Sequence, residues 1–344
     1  MNGTRILTGS IWCGDGFSKG YITIEDGIVD DIQFGTYKGN PDFKGCIIPG
    51  IIDTHTHVAD AGLKLDRTYS LEELVAPPNG LKHRYLRETP TERLVGDMVS
   101  YISGLNSTGV SRIIDFREGG AEGSRMLRSV SPRSVILGRP ISDEYDPNEM
   151  DEILKYADGI GIPSITDMPR SYIDKIAQEV HRRNKILALH VSERIREDID
   201  YVVSLRPHFI VHMVQATHSD IAKCVDNDIR ISVCPRSNLY FGMRAPVNDM
   251  INAGADLSIG TDNAMLTPDH DIFAEMCVFY ELLTPLNKER ALHLKYLVAG
   301  GRKLLYENSS IESMTGKKAD LIAIPCQEAD LLRNGAKGAV RIGP

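Results

Sequence analysis

The sequence predicts an α/β protein, a (β/α)8 TIM barrel whose N- and C-terminal segments join in a small second layer. Three observations predict it. Eight short apolar runs recur along the chain, amphipathic stretches of helical spacing separate them, and polar residues of metal-ligand type stand at the ends of several runs. Near-continuous Val, Ile and Leu content is what a strand buried on both faces requires, which suits a parallel sheet covered by helices. Eight such strands match a closed barrel in number, whereas an open doubly wound sheet usually has about five to seven. The 344 residues accommodate one barrel of about 250 residues with appendages, or two ordinary domains, so length alone does not choose.

Taken in order, residues 1–45 carry short alternating patterns broken by glycine. Tyr21-Ile22-Thr23-Ile24, then Glu25-Asp26-Gly27, then Ile28-Val29 reads as strand, tight turn, strand. The eight runs follow at 46–57, 110–118, 134–141, 159–167, 185–193, 209–214, 229–238 and 257–263. Between them, 91–105 places Leu94, Val95, Met98, Ile102 and Leu105 on one helical face, and 170–183 does the same with Ile173, Ile176, Ala177 and Val180. After Leu283 the pattern is helical to about Leu305, and Ala319 to Ile324 gives one last strand. The expected division is therefore a barrel over 46–305 and a composite β domain from 1–45 and 306–344. Little sequence follows the last strand, so this β domain is expected to be abbreviated.

Composition narrows the function classes. The chain is 42% hydrophobic and 25% charged without low-complexity tracts, which reads as globular throughout. A net charge of −8 argues against a nucleic-acid or anionic-membrane surface, since both would repel it at long range. The start, MNGTRILTGSIWCGDG, has no basic segment followed by an apolar core, and no apolar run approaches the roughly 20 residues of a membrane helix; a cytoplasmic protein acting on a small molecule is expected. The six cysteines, Cys13, Cys46, Cys224, Cys234, Cys277 and Cys326, lack CxxC spacing and read as ordinary buried thiols. No Gly-rich phosphate loop sits in a βαβ context, so no nucleotide cofactor is expected.

Catalytic groups of a barrel stand at the C-terminal ends of its strands. The first run ends in Asp53-Thr54-His55-Thr56-His57, and residues two apart on a strand project to the same side. The fifth run is apolar until His190, with Glu193 three positions on; the sixth ends at His212; the eighth closes on Asp262. One such residue can be a satisfied structural group, but four strands of one barrel ending this way converge on one point. Imidazole-rich ligation suits zinc, with iron, manganese, nickel or cobalt able to use similar sites. Bound water would then have a pKa near about 7. His83, His181, His208, His218, His270 and His293 fall in loops or on helices and are expected to be non-ligands, with His83 and His270 following strands on the presumed catalytic side.

As a set, PGIIDTHTH at 49–57, HVSE at 190–193, the His212 strand, CPRSN at 234–238, GTDN at 260–263 and GKKADLIAI at 316–324 resemble the amidohydrolase superfamily. The match is to the deaminase and chlorohydrolase branch that includes cytosine, guanine and S-adenosylhomocysteine deaminases, in family order over nearly the whole chain. The resemblance implies that His55, His57, His190 and Asp262 bind a divalent metal ion. It implies that Glu193 protonates a substrate ring nitrogen, that His212 orients water and substrate, that Asp262 also accepts a proton, and that the early hairpins and the final strand form a small flanking β-sandwich. Binuclear relatives use a carbamylated lysine on the fourth strand; 159–167 contains none, so a single ion is implied. Barrels of this family are often dimers or larger, so a homo-oligomer is also expected.

The resulting expectation is hydrolytic deamination of an amino-substituted nitrogen heterocycle, such as a pyrimidine, purine or nucleoside derivative. Opening of a cyclic amide or dechlorination at the same centre is the alternative, and a non-catalytic scaffold the remote one, whose signature would be lost ligands. The 58–90 connection, the longest, contains Ala76-Pro77-Pro78-Asn79-Gly80-Leu81-Lys82-His83 and is expected to form a lid or specificity wall. Arg117, Arg139, Arg170, Arg194, Arg236 and Arg244 gather near strand ends, where guanidinium groups would bind a carboxylate or phosphate bidentately. His83, Arg117, Arg236 and Asn238 are the candidate substrate contacts.

Overall fold

A computed structural model describes residues 3–142, 144–290 and 294–343. The chain begins with strands β1 (Thr4–Trp12), β2 (Phe17–Glu25), β3 (Ile28–Phe34) and β4 (Phe43–Pro49). The acidic-Gly turn is where the sequence places it: Asp26 and Gly27, with φ of 49° and 80°, link β2 to β3 in antiparallel pairing, the backbone that a two-residue hairpin of this hand needs. The flanking β domain is a six-stranded sheet, completed by β14 (Leu321–Ile324) and β15 (Val340–Ile342) in the order β15-β14-β4-β1-β2-β3.

The second sheet is parallel and holds β5 (Ile51–His57), β6 (Val110–Arg117), β7 (Val135–Gly138), β8 (Gly159–Ile162), β9 (Ile186–Val191), β10 (Phe209–His212), β11 (Arg230–Val233), β12 (Leu257–Ile259) and β13 (Asp262–Asn263). Its order runs β12-β11-β10-β9-β8-β7-β6-β5-β13. Since β12 and β13 are two pieces of the eighth run, one pairing β11 and the other β5, that run closes the ring. A side chain on Gly260, between the pieces, would lie 2.8 Å from His55 Cβ, so glycine permits the close crossing. Asp53 then takes over the missing ladder, accepting from Thr261 N at 3.0 Å and Thr261 Oγ1 at 2.7 Å.

Four expectations are corrected in detail. The first run is two strands that change sheets at Gly50, where a Cβ would lie 2.6 Å from Asp320 Oδ1 and from Ser111 Cβ. The seventh is a strand only to Val233, because Pro235 opens the helix Pro235–Tyr240, as proline at the first turn favours. The 58–90 connection is not bare loop: it folds as Val58–Asp60, Leu71–Val75 and Leu81–Glu88, with Ser70 and Glu73 forming a capping box. The late helical stretch is broken at Ala299, between Leu294–Val298 and Gly300–Leu304, and Pro285–Arg290 precedes these among the described residues. The expected helices at 91 and 170 are Thr91–Ser107 and Arg170–Arg182.

Within the barrel, Ile52, Ile114, Phe116, Leu137, Ala188, Phe209, Val211 and Cys234 pack as one apolar cluster. This fills the interior and makes a dry floor, on which Phe116 meets the rings of His55 and His190 edge to face at 4.5 and 4.8 Å. All six cysteines are free thiols. Among the described residues no helix is long and apolar enough to cross a membrane.

Candidate metal centre and active site

The ends of β5, β9, β10 and β13 meet above that floor. His55 and His57 project from one side of β5, and His55 Nε2 and His57 Nε2 lie 3.3 and 3.7 Å from Asp262 Oδ1. His190 Nε2 is 3.4 Å from His57 Nε2, and the His55 ring centroid is 5.4 Å from that of His212. His55, His57 and His190 form one group, and His55, His212 and Asp262 another, whose ligand atoms lie within 4.8 Å of each other. The backbone is bent to achieve this: Ser192, His212, Met213 and Asp262 all have positive φ, 49°, 76°, 54° and 65°. Non-glycine residues in that region cost about 1–3 kcal/mol each and cluster at functional sites.

Electrostatics prepare the same atoms. Burial holds the imidazoles of His55, His190 and His212 below their usual range and brings His57 down to about 4, so all four are neutral and offer lone pairs. Burial would raise the Asp262 carboxyl, but its contact with His55, with His212 and His57 beyond, holds it well below the ordinary carboxylate range. The outward nitrogens are oriented by acceptors: His57 Nδ1 faces Phe116 O and Glu118 Oε1, each at 2.9 Å, and His190 Nδ1 donates to Ile162 O at 3.1 Å. Such partners direct the other ring nitrogen at a metal. Both ring nitrogens of fully buried His55 lack a well-directed hydrogen-bond partner, an uncommon state that a cation would relieve. The donor set fits a divalent ion of the zinc type.

Glu193 follows β9 at the cavity wall, with Oε2 3.7 Å from His212 Nε2. Burial, reinforced by Asp262, raises its carboxyl to about 8. Buried Glu197 sets this loop, accepting from Ser192 N at 2.7 Å and Ile165 N at 3.0 Å. Asp262 Oδ2 accepts from Ser237 Oγ at 2.5 Å, and Asn263 Nδ2 donates to Oδ1 at 3.0 Å. Asn238 lies beside the site, its Nδ2 3.4 Å from His212 Nδ1.

The cavity over these groups, about 100 Å³, is walled by the 58–90 segment through Leu71, Val75, Pro77, Lys82 and His83. His83 is pinned there by donating to Val75 O at 3.1 Å. An adjoining cavity of about 770 Å³ shares Pro77, His83, Glu118, Arg139 and Asp167 with it. The arginines separate clearly. Arg236 lies outside the catalytic cavity, bidentate on Asp269 at 3.0 and 2.7 Å with Glu275 behind it. Arg117 lines the adjoining cavity but donates to Glu118 O at 3.0 Å and faces Asp115 and Glu118. Arg139 lines both cavities, and its guanidinium makes no hydrogen bond or ion pair with a described residue. His270 packs tilted against Tyr101 at 4.7 Å and His181 stacks on His208 at 6.2 Å, away from the cluster. His218 opens the helix His218–Asp226, and His293 lies outside the described residues.

Sequence reasoning missed Lys82, Glu118, Ser237, Glu197 and Asn263. Ser237 and Asn263 stood inside quoted motifs, and that was their only signal. Glu118 ended the second run and Lys82 stood in the quoted 76–83 segment, but nothing in the sequence paired them.

Comparison with known proteins bears on family and fold. The family model described as "Amidohydrolase family" matches residues 46–300. An uncharacterized protein of Methanocaldococcus jannaschii is 33% identical over 293 residues, 77% of this chain and 75% of that one. The 5-methylthioadenosine/S-adenosylhomocysteine deaminase of Bacillus cytotoxicus is 24% identical, covering 90% of this chain and 81% of its own. Among solved structures, a zinc-bound adenosine deaminase from Xanthomonas campestris superposes with a TM-score of 0.75 at 16% identity, over 98% of this chain and 89% of that one.

Proposed function

This chain belongs to the amidohydrolase family, hydrolases of carbon–nitrogen bonds other than peptide bonds, and from that premise we propose that it deaminates an amino-substituted nitrogen heterocycle with one bound divalent ion. The observation that carries the reading is the convergence of four neutral imidazoles and one ionised carboxylate beside a carboxyl raised to about 8. His55, His57, His190 and Asp262 would hold the ion, most simply zinc, which supplies a water acidic enough to be deprotonated near neutral pH.

The protein's own groups then divide the proton work. Glu193, protonated at neutral pH, donates to the ring nitrogen, so that negative charge does not build up there as water adds to the amino-bearing carbon. His212, held by Asn238, points Nε2 toward the Glu193 side of the cavity and orients the water. Asp262 keeps Oδ2 on Ser237, placing a carboxylate where it takes the water's proton and passes it to the departing amine. The Phe116 floor and the 58–90 wall exclude bulk water, which strengthens each of these interactions.

The substrate reading extends to charge. Arg139 is the guanidinium free to meet a carboxylate or phosphate, and it stands where the two cavities join; Arg117 and Arg236 are already engaged. A substrate whose ring lies at the metal and whose anionic substituent lies at the junction fits this arrangement.

The test is ammonia release by zinc-loaded protein from purines, pyrimidines and their nucleosides, in matched pairs with and without a carboxylate or phosphate. Release is expected, faster for the anionic member. Arg139→Met should raise KM for that member about ten- to a hundredfold more than for its uncharged partner. Turnover of a cyclic amide or a chlorinated ring with no ammonia from any amine would replace deamination by the alternative. Absence of bound metal would return the scaffold reading.

A further inference from the structure

Lys82 is the least expected residue of the site. It projects from the helix Leu81–Glu88 in the connecting segment, yet it is only 3% exposed. Its Nζ forms an ion pair with Glu118 Oε1 at 2.6 Å, donates to Asn263 Oδ1 at 3.0 Å, and faces Asp60 Oδ2 at 3.6 Å. Each of the two nearer partners holds one proposed metal ligand: Glu118 Oε1 is 2.9 Å from His57 Nδ1, and Asn263 Nδ2 donates to Asp262 Oδ1 at 3.0 Å. One ammonium is thus a single step removed from both His57 and Asp262, which stand on the two strands that close the barrel.

We propose that Lys82 is a positioning residue that fixes His57 through Glu118 and Asp262 through Asn263; this rests on the assignment of those two residues as metal ligands. An ammonium has three donors and no acceptor. Asn263 must therefore turn its oxygen to Lys82, which leaves its NH2 for Asp262. Glu118 stands between Lys82 and His57, its Oε1 2.6 Å from Lys82 Nζ and 2.9 Å from His57 Nδ1, whose other neighbour is Phe116 O. With its donors occupied by protein acceptors, Lys82 is not available to substrate although it lines the cavity. A methionine of similar length would fill the same space and impose neither orientation.

The sign of the effect makes the proposal testable. By Coulomb's law alone, removing a positive charge near a dication strengthens the dication's binding. A residue that only tethers the connecting helix would leave metal affinity unchanged and lower the melting temperature. Positioning predicts the opposite of the first and more than the second, because loss of orienting partners weakens metal affinity about ten- to a hundredfold.

The zinc dissociation constant of full-length Lys82→Met is measured by competition with a chromogenic chelator, beside the absorption bands of the cobalt-substituted protein. A constant at least about tenfold weaker than wild type, with displaced cobalt bands, is expected. A constant unchanged within about twofold, or tighter, overturns the proposal. Lys82→Met/Glu118→Gln removes both charges and so avoids an unpaired buried carboxylate if the single variant does not fold. Compared with Glu118→Gln alone, it should still bind zinc several-fold more weakly, through loss of the Asn263 branch; equality or tighter binding again overturns the proposal. Wild-type protein that takes up no zinc would instead remove the ligand assignment, and this inference with it.

Discussion

At the N-terminal end of β5, the Gly50 carbonyl accepts from Arg302 Nη2 at 3.1 Å; the same guanidinium meets Asp320 at 3.0 Å and Glu307 at 3.3 Å, and Glu307 also holds Arg112. At the C-terminal end of that strand, seven residues away, His55 and His57 face His190, His212 and Asp262. Both clusters are polar, but they are composed differently. Below, each charge faces an opposite charge, although Arg302 Nε, Arg112 Nε and Asp320 Oδ1 make no hydrogen bond and Glu307 is partly exposed. Above, neutral imidazoles gather lone pairs with too few protons to share, and His55 is left without a partner. A cluster of paired opposite charges ties the sheet to the barrel, whereas a cluster of lone pairs around one carboxylate offers a place to a cation. The comparison locates the chemistry at the upper end, where barrel strands place catalytic groups.

The largest effect that would break this contrast is expected at His55. His55→Ala should lose bound metal and at least about a thousandfold in kcat/KM, on the order of 4 kcal/mol. Metal-free, it should melt close to wild type, since the change removes an unpartnered polar group along with the ring's packing. Zinc should raise the melting temperature of wild type and not of the variant. Retained metal and activity would mean the upper cluster is not a binding site.

Next in size is Glu193. Burial beside Asp262 raises its carboxyl to about 8, and a donor must hold its proton. Activity should therefore be full below about 8 and fall as pH rises through that value, approaching tenfold per unit. Glu193→Gln should lose about a hundred- to ten-thousandfold, and the alkaline fall should vanish from whatever activity remains. An unchanged alkaline limb in Glu193→Gln would assign the proton to another group.

The same contrast explains what the sequence could reveal. His55 and His57 were legible because strand alternation fixes their common side, and His190, His212 and Asp262 because each ends an apolar run. Fold class was legible from the same runs. The break of the first run at Gly50 was not, since continuous apolar content looks the same whether one sheet or two receive it. Nor was the closure by β12 and β13, which depends on Gly260 passing close to His55. Arg139 and Arg236 could not be told apart in sequence: Arg236 is neutralised by Asp269, 33 positions on, and only folding brings them together. Lys82 reads as one residue of the 58–90 connection until Glu118 and Asn263 are placed around it.

The smallest effect on chemistry, and the sharpest test of the lower cluster, is expected at Arg302, which is 6% exposed. Arg302→Met leaves Asp320 and the Gly50 carbonyl without their main donor, and Glu307 with Arg112 alone. Removing one partner of a buried ion pair costs about 3–5 kcal/mol. Because Glu307 and Asp320 are partly exposed, with side chains 35% and 15% accessible, water compensates in part, and about 2–3 kcal/mol is expected. At roughly 1.4 °C per kcal/mol for a chain of 344 residues, the melting temperature should fall by about 3–4 °C. Zinc affinity and kcat/KM of the folded protein should stay within about twofold of wild type, since the lower cluster touches no group of the upper one and well-separated sites act independently. A shifted zinc affinity would show that the two ends of β5 are coupled, and that the lower cluster does more than hold the barrel to its sheet.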